Sequence, residues 1–191
     1  MNNSKLVKVT IVVVILGGLG IFIKNYRQSD TPNTNIISQN TNSNIVVQAG
    51  INIGDKAPDF SFTTVEGQET TLSSFKGQPV LFAFALTTGC ASCIITAGNV
   101  LEAQKQIPFK VIQLSVSPYE TPEDLLFFRE TFGNSDWLIG FDKDEMVAKQ
   151  YQVKAVDTTL IVDAQGKIIY REDGIPAETE DIVNVLKKSQ I

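Results

Sequence analysis

The sequence of 191 residues contains no histidine and only two cysteines, Cys90 and Cys93. A structural zinc site needs about four nitrogen or sulfur ligands, so this chain cannot build one unless a second chain supplies the rest. Both cysteines belong to a single Cys-x-x-Cys motif, and no third thiol is present. This usage fits an oxidising compartment, where an extra thiol would be a liability.

Positive charge is scarce after the first fifty residues. From Ile51 onward, 12 lysines and arginines face 20 aspartates and glutamates, which gives a net charge of −8. Because such an acidic domain repels polyanions, neither nucleic acid nor an anionic membrane surface is expected as its partner.

The first fifty residues divide into two segments that do not belong to a folded core. Leu6–Ile23 is almost wholly apolar and can span a bilayer if Lys8 snorkels. No small-residue cleavage site follows it, so residues 1–27 are predicted to be an uncleaved transmembrane signal anchor with its amino terminus inside. A cleaved signal peptide and a buried helix of the domain are the alternatives. Residues 28–50, rich in asparagine, serine and threonine, predict a flexible polar linker, and residues 51–191 predict one domain.

An unbroken apolar run, Val80–Leu86, leads through a short turn into the cysteine motif. Seven consecutive apolar residues predict a strand that is buried on both faces, at the centre of a sheet. After Gly89, apolar residues at helical spacing predict an amphipathic helix that begins close to Cys90 and ends before Pro108. A thiol at a helix N-terminus faces unpaired N–H groups and the positive end of the helix dipole, so Cys90 is expected to be acidic.

Cys93 lies nearly one helical turn after Cys90, on the same helix face, so the two sulfurs can join without unwinding the helix. A reversible disulfide is the interpretation that this spacing favours. Two others stay open. A purely structural disulfide is disfavoured because so short a loop removes little entropy from the unfolded chain, and the third interpretation is a pair of core cysteines without redox chemistry.

Strand and helix patterns alternate around this motif. The order predicts an α/β domain with an N-terminal β-hairpin and a central mixed sheet flanked by helices. The remaining predicted elements are a hairpin at 57–75, a strand at 109–117, a helix at 122–132, a strand at 137–141, a helix starting at 142–145, a hairpin at 158–170 and a helix at 178–188.

Four stretches together resemble the thioredoxin-like redoxins of the AhpC/TSA superfamily, in particular the membrane-anchored TlpA and ResA type. The resemblance covers about 51–191 and implies a thioredoxin-like fold and thiol-disulfide exchange with extracytoplasmic thiol or disulfide proteins. It makes Cys90 the nucleophile and Cys93 the resolving thiol of a redox-active disulfide, and it implies no cofactor. The four stretches are Gly54–Phe60, Leu72–Gly77, the strand that enters the cysteine motif, and Thr158–Lys167.

Asp157 departs from the pattern of this family. It stands directly before Thr158, where most thioredoxin-fold oxidoreductases carry a cis-proline. A carboxylate there would oppose the Cys90 thiolate. Because Val80–Leu86 contains no acid, the buried carboxylate that helps some thioredoxins to deprotonate the resolving thiol is missing from that strand. We expect Asp157 to take this catalytic role for Cys93.

Substrate docking is expected on two loops, at Thr88 and Gly89 before the first cysteine and at Val156 and Thr158 around Asp157. Gly89 stands where the family often has an aromatic residue. The missing proline changes the loop that usually docks a substrate strand, and this change could also let a metal reach the sulfurs.

Short motifs of this sequence are also similar to those of two families with other functions. Val156-Asp157 resembles the late Val-Asp-His of Sco-type copper chaperones, but Thr158 replaces the histidine, which leaves Cu(I) on two thiolates. Thr87 lies three residues before Cys90, as in the peroxidatic motif of peroxiredoxins, although Ala83 replaces the proline of that motif. A peroxide reductase therefore remains an alternative.

Overall fold

The computed structural model describes residues 49–132, 135–142 and 144–190. The predicted anchor, 1–27, and all but the last two residues of the predicted linker lie outside the described residues. Within these ranges, no helix is long and apolar enough to cross a membrane.

Strands and helices alternate in the predicted order, which confirms the α/β prediction. The described residues form β1 (Ser61–Thr63), β2 (Glu69–Thr71), a 3-10 turn (Leu72–Phe75), β3 (Val80–Ala85), α1 (Ala91–Gln104), β4 (Lys110–Ser115), α2 (Pro122–Phe132), β5 (Leu138–Phe141), α3 (Met146–Gln150), β6 (Thr158–Val162), β7 (Ile168–Asp173) and α4 (Thr179–Ser189).

One helix starts later than predicted. The acids from Asp142 onward predict a helix there, but α3 begins only at Met146. The reason is that the Asp142 carboxylate accepts hydrogen bonds from the N–H groups of Val147 and Ala148, at 3.1 and 2.7 Å. Asp142 therefore binds the start of the helix from outside it.

The main sheet has five strands in the order β5-β4-β3-β6-β7. Its central strand, β3, pairs parallel with β4 and antiparallel with β6, and all six of its residues are buried, as predicted. The N-terminal hairpin β1–β2 forms a separate two-stranded sheet that meets β5 at Gly140. A Cβ atom at Gly140 would lie 2.4 Å from the carbonyl oxygen of Thr63, so this close approach requires glycine.

Two hydrophobic cores lie on the two faces of the sheet. Leu81 belongs to the core under α1, α2 and α4, which also contains the buried Trp137. Phe82 belongs to the other core, where its ring meets that of Tyr151 at a centroid distance of 5.0 Å. Because successive β3 residues serve opposite cores, the strand needs an unbroken apolar sequence. The two cores hold the carboxyl end of β3, where the cysteine motif follows.

Candidate functional site

Cys90 is the N-cap residue of α1. Its backbone is extended, with φ −114° and ψ 97°, and its Sγ accepts a hydrogen bond from the N–H of Cys93 at 3.2 Å. Gly89, which precedes it, has φ +73°, a left-handed conformation that glycine adopts without a steric penalty. The sulfur of Cys90 therefore occupies the place where a helix start favours negative charge.

Cys90 and Cys93 form a disulfide, with their Cα atoms 5.3 Å apart. Cys90 is 7% exposed and Cys93 is 2% exposed, and both pack with Ala85 at the end of β3. Cys90 is therefore the more accessible residue of the pair. The structure thus brings the two predicted cysteines together as a bonded pair.

Asp157 lies in the loop before β6, and its backbone is held tightly. Its N–H donates to the carbonyl of Phe84 at 2.9 Å, and its carbonyl accepts from the N–H of Gly174 at 3.2 Å. Its φ of 63° is uncommon for a residue other than glycine. The surroundings therefore impose a strained conformation on the residue that replaces the proline of the family.

The Asp157 side chain is fully buried, and neither carboxylate oxygen has a hydrogen-bond partner among the described side chains and backbone. Burial raises the pKa of this carboxyl, and this effect outweighs the hydroxyls of Thr96 and Ser92, which act in the opposite direction. Asp157 shares with Cys93 and Gln113 a small cavity of about 10 Å³ between α1 and the sheet. A carboxyl that binds its proton more readily than usual therefore lies beside the more buried cysteine.

Glu120 is a second buried carboxylate near the cysteines, and the sequence does not predict it as part of the site. Its Oε1 accepts from the N–H groups of Thr87 and Thr88, at 2.6 and 2.7 Å, and from the Thr88 hydroxyl at 3.1 Å. Its Oε2 accepts from the Ser115 hydroxyl at 2.5 Å. No sequence signal marks this residue, because the two backbone donors are 33 and 32 residues away and belong to no motif of their own.

The four predicted docking residues fall into two groups. Thr88 and Gly89 are exposed beside Cys90, and Val156 is 41% exposed on the loop before β6. Thr158, in contrast, is fully buried, and its hydroxyl donates to the carbonyl of Ala155 at 2.7 Å. It presents no surface to a partner, because β6 begins at this residue and turns its side chain into the domain.

A groove of about 430 Å³ opens next to the cysteine pair. Its lining includes Leu86, which packs against the cluster that Ala85 forms with the two cysteines, and the exposed side chains of Tyr119 and Val156. Lys149 and Lys154 also line it. Glu145 lines the groove too and pairs with Lys149 at 3.5 Å, so the groove combines apolar surface with charged groups of both signs.

The fold and the bonded cysteine pair define a thioredoxin-fold domain with a disulfide at the start of its first helix. The sequence matches the AhpC/TSA family over residues 53–171, and the chain belongs to this family.

Curated relatives of two kinds match most of the domain. The thioredoxin-like protein YneN of Bacillus subtilis is 31% identical over 124 residues, which are 63% of this chain and 71% of that protein. The thiol-disulfide oxidoreductase ResA of Geobacillus thermodenitrificans is 30% identical over 125 residues, 63% of this chain and 69% of ResA. The peroxiredoxin Bcp of Escherichia coli is 30% identical over 130 residues, 60% of this chain and 81% of Bcp.

Among solved structures, the thioredoxin domain of a thiol-disulfide oxidoreductase from Bacteroides vulgatus is similar, with a TM-score of 0.60 and 25% identity. The match covers 73% of this chain and 98% of that domain. The predicted thioredoxin-like fold and the resemblance to the ResA type are thereby confirmed.

Proposed function

We propose that this chain is a thiol-disulfide oxidoreductase that exchanges its Cys90–Cys93 pair with partner proteins outside the cell membrane, to which residues 1–27 anchor it. The observation that carries the proposal is the position of Cys90, whose sulfur caps α1 and is joined to the more buried Cys93. Relatives named thioredoxin-like protein and thiol-disulfide oxidoreductase support the chemical class. The anchor and the compartment are inferred from the apolar run Leu6–Ile23.

The exchange follows from the two positions. In the reduced protein, the Cys90 thiolate attacks a partner disulfide, a mixed disulfide forms, and one partner sulfur leaves as a thiolate. Cys93 then loses its proton and attacks the Cys90 sulfur. The Cys90–Cys93 bond forms, the second partner thiolate is released, and two electrons have passed to the partner. The same steps in reverse oxidise a partner dithiol.

Asp157 is the group that accepts the Cys93 proton in this scheme. It lines the same small cavity as Cys93, its oxygens have no hydrogen-bond partner among the described residues, and burial raises its pKa. A carboxyl with a raised pKa is a better base than an ordinary aspartate, and in the reverse direction it returns the proton to the Cys93 sulfur. Burial, together with nearby carboxylates that include Asp157, raises the pKa of the Tyr170 hydroxyl, on β7, to about 12, so Tyr170 stays protonated.

Trapping tests the exchange. The full chain with Cys93→Ser is expected to accumulate mixed disulfides through Cys90, because the resolving sulfur is gone. The matched Cys90→Ser chain should trap nothing. The readout is non-reducing electrophoresis followed by mass spectrometry of the bonded peptides. If both variants trap partners equally, or neither does, Cys90 is not the exchanging thiol.

The role of Asp157 has its own test. In Asp157→Asn, release of a small aromatic thiol from a mixed disulfide at Cys90 should slow by about 10²-fold, the usual scale of general acid-base catalysis. The pH dependence of that release should also flatten. Asp173→Asn is the control, since Asp173 is bonded to Arg171 at the surface. Equal rates in both variants would remove Asp157 from the mechanism.

Peroxide reduction is the second candidate. Thr87 lies three residues before Cys90, its buried hydroxyl has no hydrogen-bond partner among the described residues, and the relative Bcp is a peroxiredoxin. The Cys90 thiolate would attack hydrogen peroxide to form a sulfenic acid and release hydroxide, and Cys93 would then close the disulfide and release water. Peroxide consumption with an added thiol that survives Cys93→Ser and is lost in Cys90→Ser would support this activity.

Copper binding stays a prediction. Across residues 49–132, 135–142 and 144–190, no three cysteine, aspartate or glutamate side chains form a group that could hold a metal ion. Cu(I) on the two thiolates of the reduced protein is the form that the chain allows. Titration of the reduced chain with Cu(I) tests it directly.

A further inference from the structure

Glu120 connects three parts of the site. It lies between β4 and α2, yet its carboxylate binds the turn that follows β3 and the last residue of β4. Its own loop is braced as well, because the Ser117 hydroxyl accepts hydrogen bonds from the N–H groups of Tyr119 and Glu120, at 3.1 and 3.3 Å. This is a hydrogen-bond network around one buried carboxylate, in which each group helps to fix the next.

Glu120 holds the turn that connects the end of β3 to Cys90. The N–H groups of Thr87 and Thr88 lie beyond the end of β3 and have Glu120 as their acceptor. With those two residues held, Gly89 completes the turn and places Cys90 at the N-cap of α1. The position of the Cys90 sulfur relative to the helix start therefore depends on Glu120.

The same contacts bring a negative charge close to Cys90. Thr88 is two residues before Cys90, so the carboxylate bonded to its N–H lies within roughly 10 Å of the cysteine backbone. The other titratable groups near the cysteine pair are Asp157, from the loop before β6, and Glu145, Lys149 and Lys154 in the adjoining groove, where Lys149 and Glu145 form an ion pair at 3.5 Å. A nearby anion disfavours a thiolate, whereas the helix start favours it.

We propose that Glu120 is a positioning residue for the Cys90 nucleophile, whose carboxylate holds the turn in place and whose charge makes the couple more reducing than the helix start alone would. The direction of the effect on the reduction potential follows from thermodynamic linkage. An anion that destabilises the Cys90 thiolate destabilises the reduced protein, which lowers the reduction potential. This inference rests on the proposed exchange through Cys90.

Glu120→Gln separates charge from shape. The amide oxygen can still accept from the Thr87 and Thr88 N–H groups, but the charge is gone. In full-length chains, the pH profile of Cys90 alkylation by iodoacetamide is measured in the Cys93→Ser background. The disulfide equilibrium with glutathione is measured with both cysteines present. We expect the acid dissociation constant of Cys90 to rise about tenfold, and the equilibrium to shift about tenfold, or about 30 mV, towards the dithiol.

Ser115→Ala is the matched control, because it removes the hydrogen bond from Ser115 to Glu120, together with the one that Ser115 accepts from the Ser117 N–H at 3.2 Å, and keeps the charge and both backbone contacts of Glu120. Its alkylation profile should stay within about twofold of the parent chain. An unchanged profile and potential in Glu120→Gln would overturn the inference. If Cys90 of the unmodified chain neither alkylates nor exchanges, the proposed function fails instead, so the two failures are distinguishable.

Glu120→Asp tests the positioning part and also serves if Glu120→Gln does not fold. It keeps the charge, but the shorter side chain cannot reach both N–H groups from the same backbone position. Exchange with a model disulfide should fall at least about tenfold, the usual cost of a misplaced reacting group, without a shift of the Cys90 profile to lower pH. Exchange at the parent rate would contradict the positioning role.

Discussion

Glu120 and Asp157 are two carboxylates buried near the same disulfide, and their surroundings differ sharply. Glu120 accepts four hydrogen bonds, two of them from backbone N–H groups. Asp157 accepts none among the described residues, and burial raises its pKa. Burial alone therefore does not decide what a carboxylate does, because hydrogen-bond donors can compensate for the water that burial removes.

The two carboxylates are therefore expected to have different roles. A carboxylate that many donors hold is fixed in place, and its removal leaves those donors without an acceptor. A carboxylate without donors binds a proton more readily, and it can exchange that proton with a neighbouring thiol. The comparison thus pairs a positioning residue beside Cys90 with a proton carrier beside Cys93, and the following changes test it.

The largest effect is expected for Glu120→Ala. It leaves the Thr87 and Thr88 N–H groups and the Ser115 hydroxyl without their acceptor, so the oxidised chain should lose about 3–5 kcal/mol of unfolding free energy. The measurement is urea denaturation at neutral pH. Glu123→Ala, an exposed acid of the first turn of α2, should change stability by only about 0.5 kcal/mol. Similar losses in both variants would show that Glu120 is not the acceptor that the structure describes.

Much of the Cys90 side of the site was predictable from sequence, because its signals are local. The apolar run predicts β3, the helical spacing predicts α1, and the interval between the cysteines predicts their contact. Glu120 was not predictable, because its partners are backbone N–H groups more than thirty residues away. Buried backbone donors need an acceptor, but the sequence does not show which side chain supplies it.

On the Asp157 side, the resemblance to redoxins identified the position, whereas its conformation came only from the structure. The φ of 63° results from backbone hydrogen bonds to Phe84 and Gly174, which belong to two other parts of the chain. For the same reason, Thr158 was expected to dock substrate although it is buried. Exposure in a loop depends on strand pairing, and local sequence does not specify the residue at which a strand begins.

Asp157→Asn should stabilise the domain and weaken catalysis. The folded-state pKa of Asp157 is raised above 3.8, its ordinary value, so its contribution to stability is present below about pH 3.8 and is lost as the pH rises through the folded pKa. The variant should therefore match the parent chain in acid and exceed it at pH 7, by about 1–2 kcal/mol. Thermal unfolding between pH 3.5 and pH 7 provides the measurement.

Asp173→Asn serves as the control, because it should change the pH dependence of the unfolding free energy in the opposite direction. The hydrogen bonds from Arg171 lower the pKa of Asp173, so its stabilisation is present above about pH 3.8 and fades as the pH falls. Because Asp173 is exposed at the surface, the variant should be less stable at pH 7 by only about 0.5 kcal/mol. If the difference in stability from the parent chain changes with pH in the same direction for both variants, the pKa of Asp157 is not raised.

A smaller effect than that of either carboxylate is expected at Gly89, and it tests the Glu120 side of the comparison. A Cβ atom there meets nothing within 4 Å, so Gly89→Ala costs only the left-handed conformation at φ +73°, about 1 kcal/mol. Gly98→Ala, within α1 and equally unobstructed, should stabilise the domain by about 0.5–1 kcal/mol. The Gly89→Ala penalty exists because the turn is held, so it should shrink by about 0.5 kcal/mol or more when combined with Glu120→Ala in a double-mutant cycle. Strict additivity would mean that Glu120 and the turn before Cys90 are energetically independent, despite the two short hydrogen bonds between them.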